Sequence, residues 1–319
     1  MFAMPECSQD RVARRPGQGL RRWAALAALG AVLCQLALAF GPTGANAGPG
    51  AAQDTPMAAV GDIEVAYRVA GAGEPLVLIM GFGGTQDAWD PALLDALAAN
   101  YRVITFDNRG MGGTTATPGP FSIPQFADDT AGLLDALGIE RAHVLGFSMG
   151  GFIAQELALR HPERVESLVL LATSCGGAEA APVSRDVQRA IADTSGTPAD
   201  RATRILRLSL PESWLAEHEA YARAVLFRQR APAEPANLRR QNDAVREWAG
   251  TCSRLAELDH RTLVLAGDAD ALMPPANAQI LAARISGAAL TYFAGGGHFL
   301  MMQFPDDLAS TIHQFLATR

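Results

Sequence analysis

Val144-Leu145-Gly146-Phe147-Ser148-Met149-Gly150-Gly151 breaks a short apolar run into glycines around one serine, and the run resumes as Phe152-Ile153-Ala154-Gln155-Glu156-Leu157. A serine projected from a tight strand-to-helix turn needs neighbours without side chains, because the backbone there is strained and closely packed. Gly146 and Gly150 supply that room, so Ser148 is the candidate nucleophile. A helix beginning at Met149 would turn free N–H groups and the positive end of its dipole toward an oxyanion formed beside the serine.

Outward from this stretch the chain alternates two periods. Val60, Ile63, Val65 and Tyr67, interrupted by Gly61-Asp62, predict a hairpin of opening strands. Leu76 to Met80 is a continuous apolar run, the mark of a strand covered on both faces. Further strands are predicted at 102–106, 142–147, 165–171, 262–266 and 289–293, with helices at 91–99, 123–137, 149–160, 275–285 and 305–315. Strands alternating with helices make an α/β protein with a mostly parallel, doubly wound sheet. From 174 to 259 the alternation is replaced by Ala-, Arg- and Glu-rich sequence punctuated by prolines, read as a helical cap inserted between core segments 48–173 and 260–319. Ligands bind beyond the carboxyl ends of such strands, so an insertion leaving from there would roof the site.

The totals narrow the function. The 319 residues are 49% hydrophobic and 18% charged, with net charge −7, and five Arg against Glu6 and Asp10 in residues 1–47 leave the remainder near −10. An acidic body argues against nucleic acid as partner. Every basic side chain is Arg, so lysine chemistry is excluded. Arg21-Arg22, an apolar run from Trp23 to Phe40 and Ala45-Asn46-Ala47 read as a secretory signal cleaved after Ala47, leaving no stable membrane anchor. A retained anchor is the competing reading, since the run is about 18 residues long. Export would place the mature protein in the periplasm or medium, with Cys175 and Cys252 as its only cysteines. They sit near the ends of the insertion and are expected either to pair or to stay as two buried thiols.

A serine hydroxyl needs a base, and the base needs an orienting acid. His298, after Gly295-Gly296-Gly297 and directly beyond a predicted strand, is expected on a mobile, uncrowded loop at the sheet edge that carries Ser148. Asp268 and Asp270 follow the strand at 262–266, and Asp270 is preferred for the relay while Asp268 binds loop amides. The order Ser148, Asp270, His298 is the one expected with a serine turn of this type.

These motifs together resemble the α/β-hydrolase superfamily over nearly all of residues 58–319. Gly146-Phe147-Ser148-Met149-Gly150-Gly151 resembles its nucleophile elbow, and Asp107-Asn108-Arg109-Gly110-Met111-Gly112 its structural Asp-x-Arg-Gly-x-Gly turn. Gly267-x-x-Asp270 before Pro274 resembles its acid loop, and Gly297-His298 its histidine loop. The resemblance implies an oxyanion hole from the backbone N–H groups of Met149 and Phe82. Two departures stand out: Met80 where the family's loop usually begins with His, and Gln303 where Glu is frequent, a change expected to touch only peripheral contacts.

The arrangement looks most similar to lid-bearing esterases, enol-lactonases and cofactor-free haloperoxidases. It implies a serine esterase or lactonase with a small-molecule substrate and no cofactor or metal. Perhydrolysis, amide cleavage and carbon–carbon bond hydrolysis on the same triad, or a non-catalytic ligand-binding relative, are the alternatives. Trp214, Tyr221, Phe227 and Trp248 are candidates for the substrate pocket, against the reading that they anchor the cap to the core.

Overall fold

The computed structural model describes residues 55–226 and 234–318; the predicted signal over 1–47 and Phe227 lie outside the described residues. Eight strands form one sheet in the order β1-β2-β4-β3-β5-β6-β7-β8. They are β1 (Met57–Val60), β2 (Ile63–Ala70), β3 (Glu74–Ile79), β4 (Tyr101–Phe106), β5 (Ala142–Phe147), β6 (Val165–Leu171), β7 (Thr262–Gly267) and β8 (Ala289–Phe293). The opening hairpin turns at Gly61-Asp62, with Val60 opposite Ile63. β2 also runs antiparallel to β4, and all later pairings are parallel.

Continuous apolar strands split their side chains between two cores. Val77, Ile79, Ile104, Val144 and Leu168 enter one, and Leu76, Leu78, Val103, Leu145 and Val169 the other. Each fully buried aliphatic side chain of this kind stabilises the fold by about 1.5–3 kcal/mol. Helices α1 (Pro91–Ala98), α2 (Ile123–Ala136) and α3 (Met149–Arg160) cover the sheet with its two faces shared between them, and all three begin where the sequence predicts. Asp90 caps α1 and Ser122 caps α2 through side-chain oxygens, which accept the N–H groups a helix start leaves free.

The Asp107–Gly112 turn ties the second β-crossover down. Asp107 accepts from the amides of Gln86 and Gly113 at 2.7 and 2.9 Å. Arg109 forms a two-pronged pair with Asp129 at 2.8 and 2.6 Å and also meets Asp62 at 2.8 Å. Glycine is required at 112, where φ is +51° and a Cβ would collide with the Asp107 carboxylate.

Among the described residues between β6 and β7 lie four α-helices: α4 (Arg185–Ala192), α5 (Pro198–Ser209), α6 (Glu212–Leu226) and α7 (Pro235–Glu247). Helices α8 (Ala276–Arg284), α9 (Leu300–Gln303) and α10 (Pro305–Ala317) complete the chain; the four-residue α9 was not expected from periodicity, being too short to show any. The inserted helices are fastened to the core by hydrogen bonds. Trp248 Nε1 donates to Glu156 at 2.8 Å, Thr251 Oγ1 to Gln155 at 2.6 Å, Asn237 Nδ2 to the Gly110 carbonyl at 3.1 Å, and Tyr221 to Asp90. Cys175, just beyond β6, is disulfide-bonded to Cys252, just before β7, so the insertion's two ends are stapled together with Cα atoms 5.0 Å apart.

Closing a loop of 77 residues removes unfolded-state entropy equivalent to about 4 kcal/mol in the chain-entropy account. Cys175→Ala/Cys252→Ala should therefore lose most of that in urea unfolding, and an unchanged midpoint would refute the staple. A second expectation concerns acid. Hydrogen bonding to Arg109 holds the Asp62 carboxyl down to about 2, below its ordinary value. Its stabilising pairing is thus complete above the unfolded-state value of about 3.9 and is lost as pH falls toward 2. Asp62→Asn should lower Tm at pH 6 and match wild type near pH 2; a gap constant with pH would refute this.

Candidate active site

Ser148 is the residue at which β5 becomes α3, and its backbone sits at φ 54°, ψ −120°, in the left-handed half of conformational space that non-glycine residues avoid. Three bonds hold it there. Its N–H donates to the Leu171 carbonyl at 3.0 Å, and its carbonyl accepts from Gly151 N–H at 2.9 Å and Thr173 Oγ1 at 2.7 Å. Close packing explains the flanking glycines. A Cβ on Gly150 would strike the Ile79 carbonyl, one on Gly146 would strike the Gly150 carbonyl, and one on Gly151 would strike Thr173.

Side chains from three strand ends meet at this turn. His298 Nε2 lies 3.0 Å from Ser148 Oγ, and His298 Nδ1 lies 2.8 Å from Asp270 Oδ2. All three residues are buried, at 3–5% exposure, so their mutual bonds compete little with water. Asp270 Oδ1 accepts the Leu272 and Met273 N–H groups, each at 2.8 Å, which fixes the carboxylate's rotation. With Asp270 as acceptor, the imidazole carries its proton on Nδ1 and offers the Nε2 lone pair to the serine hydroxyl. Such a chain can take a proton from serine and stabilise the imidazolium that results. Asp268 lies apart from it, accepting the Gly295 N–H at 2.7 Å.

The loop of His298 differs from its expected openness. His298 N–H donates to the Ser209 carbonyl at 2.7 Å, and the ring packs against Phe147 and Phe299 at centroid distances of 5.0 and 5.6 Å. Glycine at 297 permits contact rather than slack, because a Cβ there would strike Ser209 at the end of α5. Gln303 is not peripheral either. Its Oε1 accepts from Gly297 N–H at 2.7 Å and its Nε2 donates to the Gly295 carbonyl at 3.1 Å, bracing the loop from both sides. Local sequence carries no signal for this, since the bracing depends on α9 folding back.

The loop after β3 stands beside the serine. A Cβ on Gly81 would lie 3.1 Å from Ser148 Cβ and 3.2 Å from the Phe147 carbonyl oxygen, so the loop packs directly on the serine turn. Met80 is buried, and its carbonyl accepts from Asn108 Nδ2 at 3.0 Å, so the turn after β4 shapes this loop.

The aromatic candidates are dispersed. Trp214 stacks on His218 at 4.5 Å, and Tyr221 binds Asp90 at the start of α1. Trp248 stacks on Phe152 at 4.7 Å and borders a cavity of ≈ 40 Å³ together with Ser174, Val245, Leu272 and Met273, beside the Asp270 loop. Among the described residues, no three or more His, Cys, Asp or Glu side chains are grouped to hold a metal ion, and no helix is long and apolar enough to cross a membrane.

A family model described as the alpha/beta hydrolase fold matches residues 74–305. A protein of Azorhizobium caulinodans named as a candidate carbamate hydrolase, RutD, is 36% identical over 260 residues, 79% of this chain and 94% of its own. The solved enol-lactonase of Burkholderia xenovorans LB400 superposes with TM-score 0.70 at 27% identity, covering 82% of this chain and 100% of that one. A thermophilic esterase of Thermogutta terrifontis gives TM-score 0.71 at 25% identity, over 82% and 98%.

The contact of Gly150 with the Ile79 carbonyl makes a test of the turn. Gly150→Ala should destabilise the protein by about 3 kcal/mol, because backbone on both sides leaves no flexible side chain to yield. A variant melting within about 1 °C of wild type would show that the turn has slack the packing denies.

Proposed function

The chain belongs to the alpha/beta hydrolase fold family, and from that premise we propose that it is an exported serine hydrolase that cleaves a small or medium carboxylic ester or lactone through an acyl-enzyme. The observation that carries this reading is the continuous hydrogen-bonded line Ser148–His298–Asp270. Ser148 Oγ attacks the carbonyl carbon as His298 Nε2 takes its proton. Asp270 orients and stabilises the imidazolium, and the N–H groups of Met149 and Phe82 receive the oxyanion, each worth about 3 kcal/mol to the transition state. His298 then returns the proton to the departing alkoxide, and water activated by the same imidazole releases the acid.

Ester and lactone are favoured as substrates by likeness to an esterase and an enol-lactonase that the chain covers almost end to end. Export is supported by the residues of the leader and by the Cys175–Cys252 bond, which an oxidising compartment maintains. The leader itself lies outside the described residues.

Hydrolysis of p-nitrophenyl esters from acetate to palmitate tests the reading. Turnover is expected with short and medium chains, and Ser148→Ala should lose at least about 10⁴-fold in kcat and all labelling by a fluorophosphonate. Labelling of Ser148 without ester cleavage would retain the nucleophile and refute the substrate class; neither labelling nor cleavage would refute the enzyme.

A further inference from the structure

Helix α7 turns Leu238, Gln241 and Val245 toward the core at spacings of three and four residues, and Gln241 is fully buried among them. A carboxamide on an apolar stripe is unfavourable unless both its ends find partners. One end does. Gln241 Oε1 accepts the Gly83 N–H at 2.7 Å, and because that partner is a donor, the oxygen and nitrogen of the carboxamide are assigned without ambiguity. The other end, Nε2, is buried and has no hydrogen-bond partner among the described residues.

The loop held by Gln241 is the one beside the serine. Gly83 follows Phe82, whose N–H the proposed mechanism uses, and Gly81 packs against Ser148 Cβ. Leu238 covers the same loop, 3.4 Å from where a Cβ on Gly83 would stand. The two heteroatoms of a carboxamide are about 2.3 Å apart, which puts Nε2 within about 5 Å of Gly83 N and, one residue further, within about 9 Å of the Phe82 amide. An acyl group on Ser148 with its oxygen on that amide is therefore held against the same loop that Gln241 grips.

We propose that Gln241 selects the substrate: Oε1 positions the Gly81–Gly83 loop while Nε2 donates to an acceptor oxygen on the acyl part, a keto or ether oxygen a few bonds from the scissile carbonyl. This rests on the acyl-transfer reading above. A buried donor that meets a methylene in place of oxygen stays unpaired, so plain alkyl esters are turned over less efficiently than oxygenated ones of the same shape.

The test compares kcat/KM for two near-isosteric pairs of p-nitrophenyl esters, methoxyacetate with butyrate and 4-oxopentanoate with 4-methylpentanoate. Wild type, Gln241→Met and Gln241→Glu are each measured, beside fluorophosphonate labelling. Gln241→Met removes both hydrogen-bonding ends, whereas Gln241→Glu, compared at a pH where its carboxyl is ionised, keeps an acceptor for Gly83 and loses the donor. In both variants the preference for the oxygenated ester should fall at least about tenfold in one or both pairs. A purely structural lesion lowers both members of a pair alike. Preferences within about twofold of wild type in both pairs, in either variant that folds, overturn the assignment and leave Gln241 a loop brace. A wild type that labels but cleaves none of the four esters, or does neither, sinks the acyl-transfer reading on which the assignment rests.

Discussion

The left-handed backbone of Ser148 is the constraint on which the site depends. A non-glycine residue at φ 54° is strained, and here the strain is held by bonds to Leu171, Gly151 and Thr173 and by the contact of Gly150 with the end of β3. That contact needs the parallel register in which Ile79 pairs with Gly146. The sheet therefore sets the serine's position, and the serine's position sets where the ends of β7 and β8 must bring Asp270 and His298 for the three to bond.

The insertion is bonded directly to the segments around Ser148 and His298. Ser209 at the end of α5 holds the His298 amide, Gln241 of α7 holds the Gly83 amide, and Trp248 and Thr251 bind the buried polar groups of α3. Each bond joins the insertion to a segment that carries a site residue. The Cys175–Cys252 bond closes the insertion at its root, so that these contacts form between ends already brought together. A small lesion in the insertion can thus be felt at His298 or at the Gly81–Gly83 loop without touching either.

Much of the fold was legible because its signals are local. Apolar runs such as Leu76–Met80 mark strands buried on both faces, and Gly61, Gly138 and the prolines at helix starts mark the breaks. The expected and observed bounds of β5 and β6 coincide, and the family model over residues 74–305 agrees with the resemblance read from the motifs. Less was legible around the histidine. Three glycines in a row suggested an open, mobile loop, yet Gly297 is there so that Ser209 can approach, and Gln303, expected at the periphery, binds the loop on both sides. Gln241 was invisible for the same reason: nothing in its neighbours along the chain foretells Gly83, 158 residues away.

By itself the sequence determined the order and type of the sheet strands and of the core helices other than α9, the serine turn, and the short set of polar residues at strand ends, Asp270 foremost, from which an acid and a base could come. These follow from periodicity, glycine sterics and spacing, all of which act within a few residues. Only the tertiary structure decided that Gln303 braces the His298 loop, that Tyr221 fastens α6 to the start of α1, and that Gln241 leaves Nε2 without a partner among the described residues beside the Gly81–Gly83 loop. Those outcomes depend on which groups of distant segments are desolvated together, and no local pattern carries that information.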